Sequence, residues 1–248
     1  RPVFASRQEY AERFADLAFW ESSVRVICQR HDLPCDRVHM GVPGTYPTFL
    51  VDDRWVVKLF GEWFDGGASY AVERDVYALL RGQAGIPASQ LAAAGDLYPD
   101  GEGWPWPYLV SQQLPGRSLA QVRDLVVKDD LIGIARYTGQ VLRRLHSVPI
   151  TGVTALAPDW DSFVAFIAER RARCQADHRS WGSLPLALIA QIPDYLLPAD
   201  VLFDRSTRPV LLHADVTVDH LLLQEGASGR WAMTGVIDFG DARVGDPL

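Results

Sequence analysis

The sequence lacks any apolar run that could cross a membrane: stretches such as 56–60 and 221–223 fall far short of the ~20 residues a spanning helix needs. Residues 1–9 contain no apolar core of a secretory signal, so no membrane partner and no export are expected. Cysteine is scarce. Cys28, Cys35 and Cys174 are odd in number and form no CxxC or Cys/His pairing at metal-site spacing. That excludes a disulfide framework and a zinc finger, and it points to a reducing, cytoplasmic setting. No G-x-S-x-G occurs, which leaves a serine hydrolase without its nucleophile turn. Basic residues are in deficit, 24 against 31 acidic ones, for a net charge of −7. Such a balance disfavours nucleic-acid binding and suits a cationic ligand. There is no internal repeat or low-complexity tract.

What is present is enough for a sizeable core: 248 residues, 48% hydrophobic, with a length that allows one domain or two lobes. The first 40 residues read as helical, with Phe14, Leu17, Ala18, Val24 and Ile27 near helical spacing until Asp32, Pro34 and Cys35 break the run. A β section follows. Residues 41–47 are turn-rich, 48–51 strand-like, Asp52-Asp53-Arg54 a hairpin signal, and 55–60 an apolar strand interrupted only by Lys58. Residues 69–80 return to helical spacing, with Glu73, Val76, Tyr77 and Leu80 on one face, so the Glu73 carboxylate points inward. Residues 104–107 lead into a strand over 108–111, and a break at 112–116 is read as a lobe boundary. Beyond it, Leu131, Ile134, Ala135, Thr138, Val141, Leu142 and Leu145 form a long amphipathic stripe with Asp129 or Asp130 as its expected cap. Helices are expected over 159–174 and 185–197, and strands over 210–212, 221–224 and 231–237.

The densest reactive cluster lies near the end. His213, Asp215, Asp219 and His220 follow one short strand, and Asp238 and Asp241 follow another. Two strand exits of that kind can set a proton-accepting carboxylate opposite a metal-binding one, the division of labour that phosphoryl transfer requires. The same His213-x-Asp215 spelling also matches the start of an iron facial triad, and His220 with Asp238 could suggest a metal-dependent hydrolase. Neither alternative accounts for Lys58 and Glu73.

His213-Ala-Asp215-Val-Thr-Val-Asp-His220 resembles the H-x-D-x-x-x-x-N catalytic loop of kinases, and Ile237-Asp238-Phe239-Gly240-Asp241 resembles their metal loop. Lys58 resembles the strand lysine that contacts nucleotide phosphates, and Glu73 its ion-pair partner. The extended metal loop, residues 237–247, is most similar to that of the aminoglycoside phosphotransferases. Within that family, segments 57–62, 104–110 and 178–182 resemble the hygromycin B phosphotransferases. The resemblance spans roughly 40–248.

It implies an α+β, two-lobed, protein-kinase-like fold: a small mixed N-lobe with an antiparallel sheet (1–113) and a mainly helical C-lobe (114–248). It also implies ATP and Mg²⁺ as cofactors and a small-molecule hydroxyl as acceptor. Asp215 and His213 form the catalytic pair, with His213 as an orienting group. Lys58, Glu73, Gln112 and Gln113 would bind nucleotide, the backbone of the last two receiving adenine, and Asp238 and His220 would bind metal. Three departures accompany it. His220 stands where asparagine is expected, which leaves a catalytically impaired nucleotide-binding module as an alternative. No G-x-G-x-x-G precedes Lys58, only Gly41 and Gly44 with Thr45. Family members continue into further helices, so the C-lobe is expected to be incomplete at Leu248. The sequence leaves acceptor identity, ATP against GTP, and oligomeric state open.

Overall fold

The structure, a computed structural model, describes residues 1–42 and 44–247, and of Asp200 only the backbone. Pro43, within the turn-rich segment, and Leu248 lie outside the described residues. The chain opens with two helices rather than one continuous helical region: α1 (Arg7–Arg13) and α2 (Leu17–Arg30). Asp16 makes the break. Its carboxylate accepts from the Phe19 amide as the N-cap of α2, and Trp20 Nε1 donates to the Arg13 carbonyl across the corner.

Strands β1 (Val38–Met40), β2 (Thr48–Val51), β3 (Trp55–Leu59), β4 (Leu91–Asp96) and β5 (Pro107–Gln112) form one antiparallel sheet in the order β1-β2-β3-β5-β4, with helix α3 (Gly66–Leu80) between β3 and β4 in sequence. Asp52 and Asp53 both have positive φ, 53° and 52°, so the β2–β3 hairpin closes on the two-residue left-handed turn that the twist of paired strands favours. The Asp52 carboxylate then accepts from the Asp36 and Arg37 amides and pins the chain entering β1. Strand alternation divides the sheet. Phe49, Val51, Val57, Leu59 and Val110 face α2, whereas Leu109 joins Val76, Tyr77 and Leu80 of α3 in a second core that continues into the C-terminal part.

The C-terminal part comprises β6 (Arg117–Ser118), α4 (Leu119–Val122), α5 (Lys128–His146), α6 (Trp160–Trp181), α7 (Leu186–Tyr195), β7 (Val210–Leu212), β8 (Leu221–Glu225), β9 (Trp231–Val236) and β10 (Arg243–Gly245). It contains two small antiparallel sheets, β6-β8-β9 and β7-β10. The α+β architecture agrees with the sequence reading.

Three local expectations are corrected. Neither Asp129 nor Asp130 caps α5. The N-cap is Val127, and buried Asp130 instead accepts from the Arg230 guanidinium and the Trp231 amide, tying the helix to β9. Acids in a first helical turn favour the dipole as well as serving as caps, so the same residues signal both. Helix α6 runs past 174 to Trp181 and stops at Gly182, whose φ of 63° closes it. Finally, β1, β4, β6 and β10 were not anticipated. Leu-Ala-Ala-Ala-Gly-Asp carries no β-branched residue and becomes β4 through its pairing with β5.

At the 112–116 break, Gly116 has φ 111°, and a Cβ there would stand 2.4 Å from the Leu223 carbonyl oxygen. Only glycine fits this crossing between the large sheet and β6. Among the described residues no helix is long and apolar enough to cross a membrane.

Candidate active site

Lys58 owes its place to the pleat of β3. Val57 and Leu59 are fully buried toward α2, so Lys58 emerges on the opposite face, beside Leu109 and under α3. There its Nζ lies 2.7 Å from Glu73 Oε2 and 2.9 Å from Asp238 Oδ1. Burial alone would lower the lysine's pKa, but the two carboxylates outweigh it and hold the ammonium above its ordinary range. Glu73 is raised, chiefly by burial, which Lys58 only partly offsets. Asp238 ends below the usual carboxylate range because Lys58 outweighs the cost of its burial. One cation therefore joins the sheet, α3 and the loop after β9.

The loop after β7 faces this group. His213 is buried, with its ring 4.7 Å from that of Phe239 and both nitrogens engaged: Nε2 lies 3.0 Å from the Ile237 carbonyl, and Nδ1 accepts from the Asp215 amide at 3.3 Å. That pattern corresponds to the neutral tautomer protonated at Nε2, and burial pushes its pKa down in the same direction. His220 Nδ1 donates to the Asp215 carbonyl at 2.6 Å, and its Nε2 stands 3.6 Å from Asp238 Oδ2. Imidazoles thus fix the backbone on both sides of Asp215 while its own carboxylate remains partly exposed. Ala214 and Asp238 both adopt positive φ, 64° and 65°, a strained conformation for non-glycine residues that aims the adjoining side chains.

One cleft gathers these residues. Gly41, Gly44, Thr45, Lys58, Glu73, Gln112, Gln113, His220 and Asp238 all line it; Asp215 sits on the loop that His220 closes. The backbone at 112–113 is less available than the sequence implied. The Gln112 amide donates to Gln90 O at 2.9 Å, the Gln113 amide to Arg54 O at 2.8 Å, and the Gln112 carbonyl accepts from the buried Ser89 hydroxyl. Gln113 Oε1, by contrast, is buried without a partner among the described residues. Sequence reasoning also missed Tyr77. It stands one turn after Glu73 and was read as core, yet its hydroxyl donates to Glu73 Oε1 at 3.2 Å.

Among the described residues, no three His, Cys, Asp or Glu side chains gather as a metal cage. With both His213 nitrogens committed to the backbone, the donor set suits neither an iron facial triad nor a dinuclear centre. Asp238 does offer oxygen toward the cleft, and one or two carboxylates completed by phosphates and water are the usual magnesium environment.

The model of the phosphotransferase enzyme family matches residues 44–248. A solved GDP and kanamycin complex of APH(2″)-IIIa, an aminoglycoside phosphotransferase, superposes with a TM-score of 0.68 at 20% identity, over 92% of this chain and 75% of that one. The streptomycin–ATP–APH(2″)-IIa complex gives 0.61 at 19%, over 91% and 73%. A thermostable APH(4)-Ia in ternary complex with ADP and hygromycin B gives 0.56 at 18%, over 90% and 72%. These likenesses show the two-lobed kinase-like fold. A lysine-specific demethylase, JMJ21 of Arabidopsis thaliana, is 25% identical over 177 residues, a match covering 58% of this chain and 19% of that protein's length.

Proposed function

The chain belongs to the phosphotransferase enzyme family, and from that premise we propose that it moves the γ-phosphoryl group of ATP to a hydroxyl of a small, aminoglycoside-like molecule. The observation that carries this reading is the Lys58 ammonium shared between Glu73 and Asp238, within one cleft and facing the Asp215 loop. Lys58 holds the nucleotide phosphates. Asp215, its backbone held by His213 and His220, orients the acceptor hydroxyl and takes its proton as the phosphoryl leaves. Asp238 would hold magnesium, with His220 as the second, less oxygen-like donor; a metal bound there would neutralise charge on the nucleotide phosphates.

Gln112 and Gln113 receive the base. Because their amide N–H groups already donate to the Gln90 and Arg54 carbonyls, the contacts fall to the remaining carbonyl and to the side chains. We place the division between lobes after Gln113, ahead of Gly116. The solved complexes contain kanamycin, streptomycin and hygromycin B, all cationic sugars. A chain of net charge −7 suits such acceptors, which would make it an antibiotic-resistance enzyme, and its three free thiols suit a cytoplasmic one.

His220 in place of asparagine favours one second reading, a nucleotide-binding module without turnover. The test is magnesium-dependent consumption of ATP, and of GTP in parallel, across a panel of aminoglycosides and simple alcohols. Acceptor-stimulated turnover is expected, falling by about 10²–10⁴-fold in Asp215→Ala with nucleotide affinity retained. Binding without turnover in the unaltered chain supports the second reading, and unchanged turnover in Asp215→Ala removes Asp215 from the mechanism.

A further inference from the structure

We infer that Tyr77 is a positioning residue for the phosphate-binding lysine, its phenol fixing Glu73 so that Glu73 fixes Lys58; the inference rests on the nucleotide-site reading above. Tyr77 is buried at the junction of three elements. Its ring meets Phe239 of the loop after β9 edge-on, with centroids 6.0 Å apart, and Phe239 in turn packs on His213. Leucine or phenylalanine could serve that packing. The hydroxyl is the part that packing does not explain, because a buried phenol costs stability unless it is used.

It is used on Glu73. The two carboxylate oxygens are divided between two donors: Oε2 takes Lys58 Nζ at 2.7 Å, and Oε1 takes the Tyr77 hydroxyl at 3.2 Å. The Ser111 hydroxyl of β5 lies beside the same phenol. Glu73 is therefore held from both sides, and only Oε2 is presented to the lysine. This leaves the ammonium able to reach Asp238 Oδ1 at 2.9 Å as well. Without the phenol, Oε1 loses the donor that holds it, and Lys58, already 2.7 Å from Oε2 of the same carboxylate, is free to bridge both oxygens. The ammonium would then be drawn onto Glu73 and off its line with Asp238, where the phosphates are read. The acceptor hydroxyl depends on Asp215, on a separate loop, and is not disturbed.

The experiment uses the full chain with Tyr77→Phe, Tyr77→Leu and Lys58→Ala. It measures kinetics with MgATP and acceptor varied in turn, binding of a fluorescent ATP analogue, and thermal midpoints. Tyr77→Phe should lower kcat/KM for ATP about tenfold and weaken the analogue by a similar factor, the scale of one hydrogen bond to a charged group. KM for the acceptor should not move. Tyr77→Leu should match Tyr77→Phe in its nucleotide parameters while losing thermal stability through the missing ring. If Tyr77→Phe keeps wild-type nucleotide parameters, or if only Tyr77→Leu is impaired, Tyr77 is packing alone and the inference falls. Lys58→Ala separates the two levels. Loss of nucleotide affinity there beside an unaffected Tyr77→Phe overturns only the role of Tyr77, whereas unchanged affinity in Lys58→Ala overturns the reading of the site as well.

Discussion

Lys58 and Glu73 form a buried pair, yet the two partners should not be equally costly to lose. Lys58→Met removes one cation from between two carboxylates; Glu73→Gln removes one carboxylate from a lysine that still has Asp238. Side-chain exposure is 13% for Lys58 and 4% for Glu73, so solvent can do little to replace either partner. Breaking a buried pair by removing one member costs about 3–5 kcal/mol, and Lys58→Met belongs in that range because Glu73 and Asp238 are left facing each other. Glu73→Gln keeps the Tyr77 contact and a neutral acceptor for Lys58, which limits its cost to about 1–2 kcal/mol.

The two variants also differ in pH dependence. Burial already raises Glu73 above its ordinary 4.5 while Lys58 pulls it down, so without the lysine it rises further and takes up a proton. A folded-state pKa above the unfolded value favours folding fully below the unfolded value and loses that contribution as pH rises through the folded one. The Lys58→Met penalty should therefore be smallest near pH 4.5 and grow toward neutrality, while the Glu73→Gln penalty, lacking that acid, varies less. Urea unfolding of both variants between those limits, without nucleotide or metal, measures the difference. Equal costs, or a Lys58→Met penalty that is flat with pH, would refute the argument that one cation serves two acids.

Two further outcomes follow from the way the parts are tied together. Asp75, two residues past Glu73 on α3, accepts from the Thr154 and Ala155 amides at 2.9 Å each and from Arg74, binding α3 to the segment between α5 and α6. Burial pushes its carboxyl up, but these donors together leave it below the usual range, so its contribution is present above the unfolded value of 3.8 and lost as pH falls through the lower folded one. Asp75→Asn should cost about 1–3 kcal/mol at neutral pH, with the deficit shrinking in acid unfolding curves; a deficit independent of pH would show that the charge is idle. Gly116→Ala, at φ 111° and with its Cβ 2.4 Å from a carbonyl oxygen, should lose about 1–3 kcal/mol in denaturant unfolding. Gly139→Ala, in α5 with open space around the added carbon, should gain up to about 1 kcal/mol, so a matching loss at both positions would contradict the strain argument.

The parts of the site that were legible in the sequence are those where a residue type conflicts with its surroundings. A lysine in the middle of Val-Val-Lys-Leu and a glutamate on an apolar helical stripe each demand a partner when buried, and the two demands answer each other. Aspartates just past short apolar strands are legible for a similar reason, since they can leave the sheet only through a turn. Features held by pairing rather than composition were not legible. Strand β4 has no strand-like composition of its own, and its pairing with β5 also brings Gln90 within reach of the Gln112 amide. That pairing engages the Gln112 amide within the protein, so for the adenine contact proposed at 112–113 the Gln113 carbonyl and the two side chains are the groups left. Tyr77 was hidden differently: an aromatic on a helical stripe reads as core, and it is core, with the function confined to one oxygen atom.

The spelling His213-x-Asp215 illustrates the limit most sharply, because as letters it fits both an iron facial triad and a kinase catalytic loop. Residue type cannot separate them, since a histidine that binds metal and one that braces a backbone are the same side chain. The commitment of its nitrogens does separate them. Nε2 meets the Ile237 carbonyl one residue before Asp238, and Nδ1 meets the amide of Asp215 itself. A metal ligand must keep a lone pair directed at the metal, whereas the only lone pair of this neutral ring is taken by the Asp215 amide. His213 instead fastens the loop bearing Asp215 to the loop bearing Asp238. Their spacing is thus set by an imidazole that touches neither carboxylate.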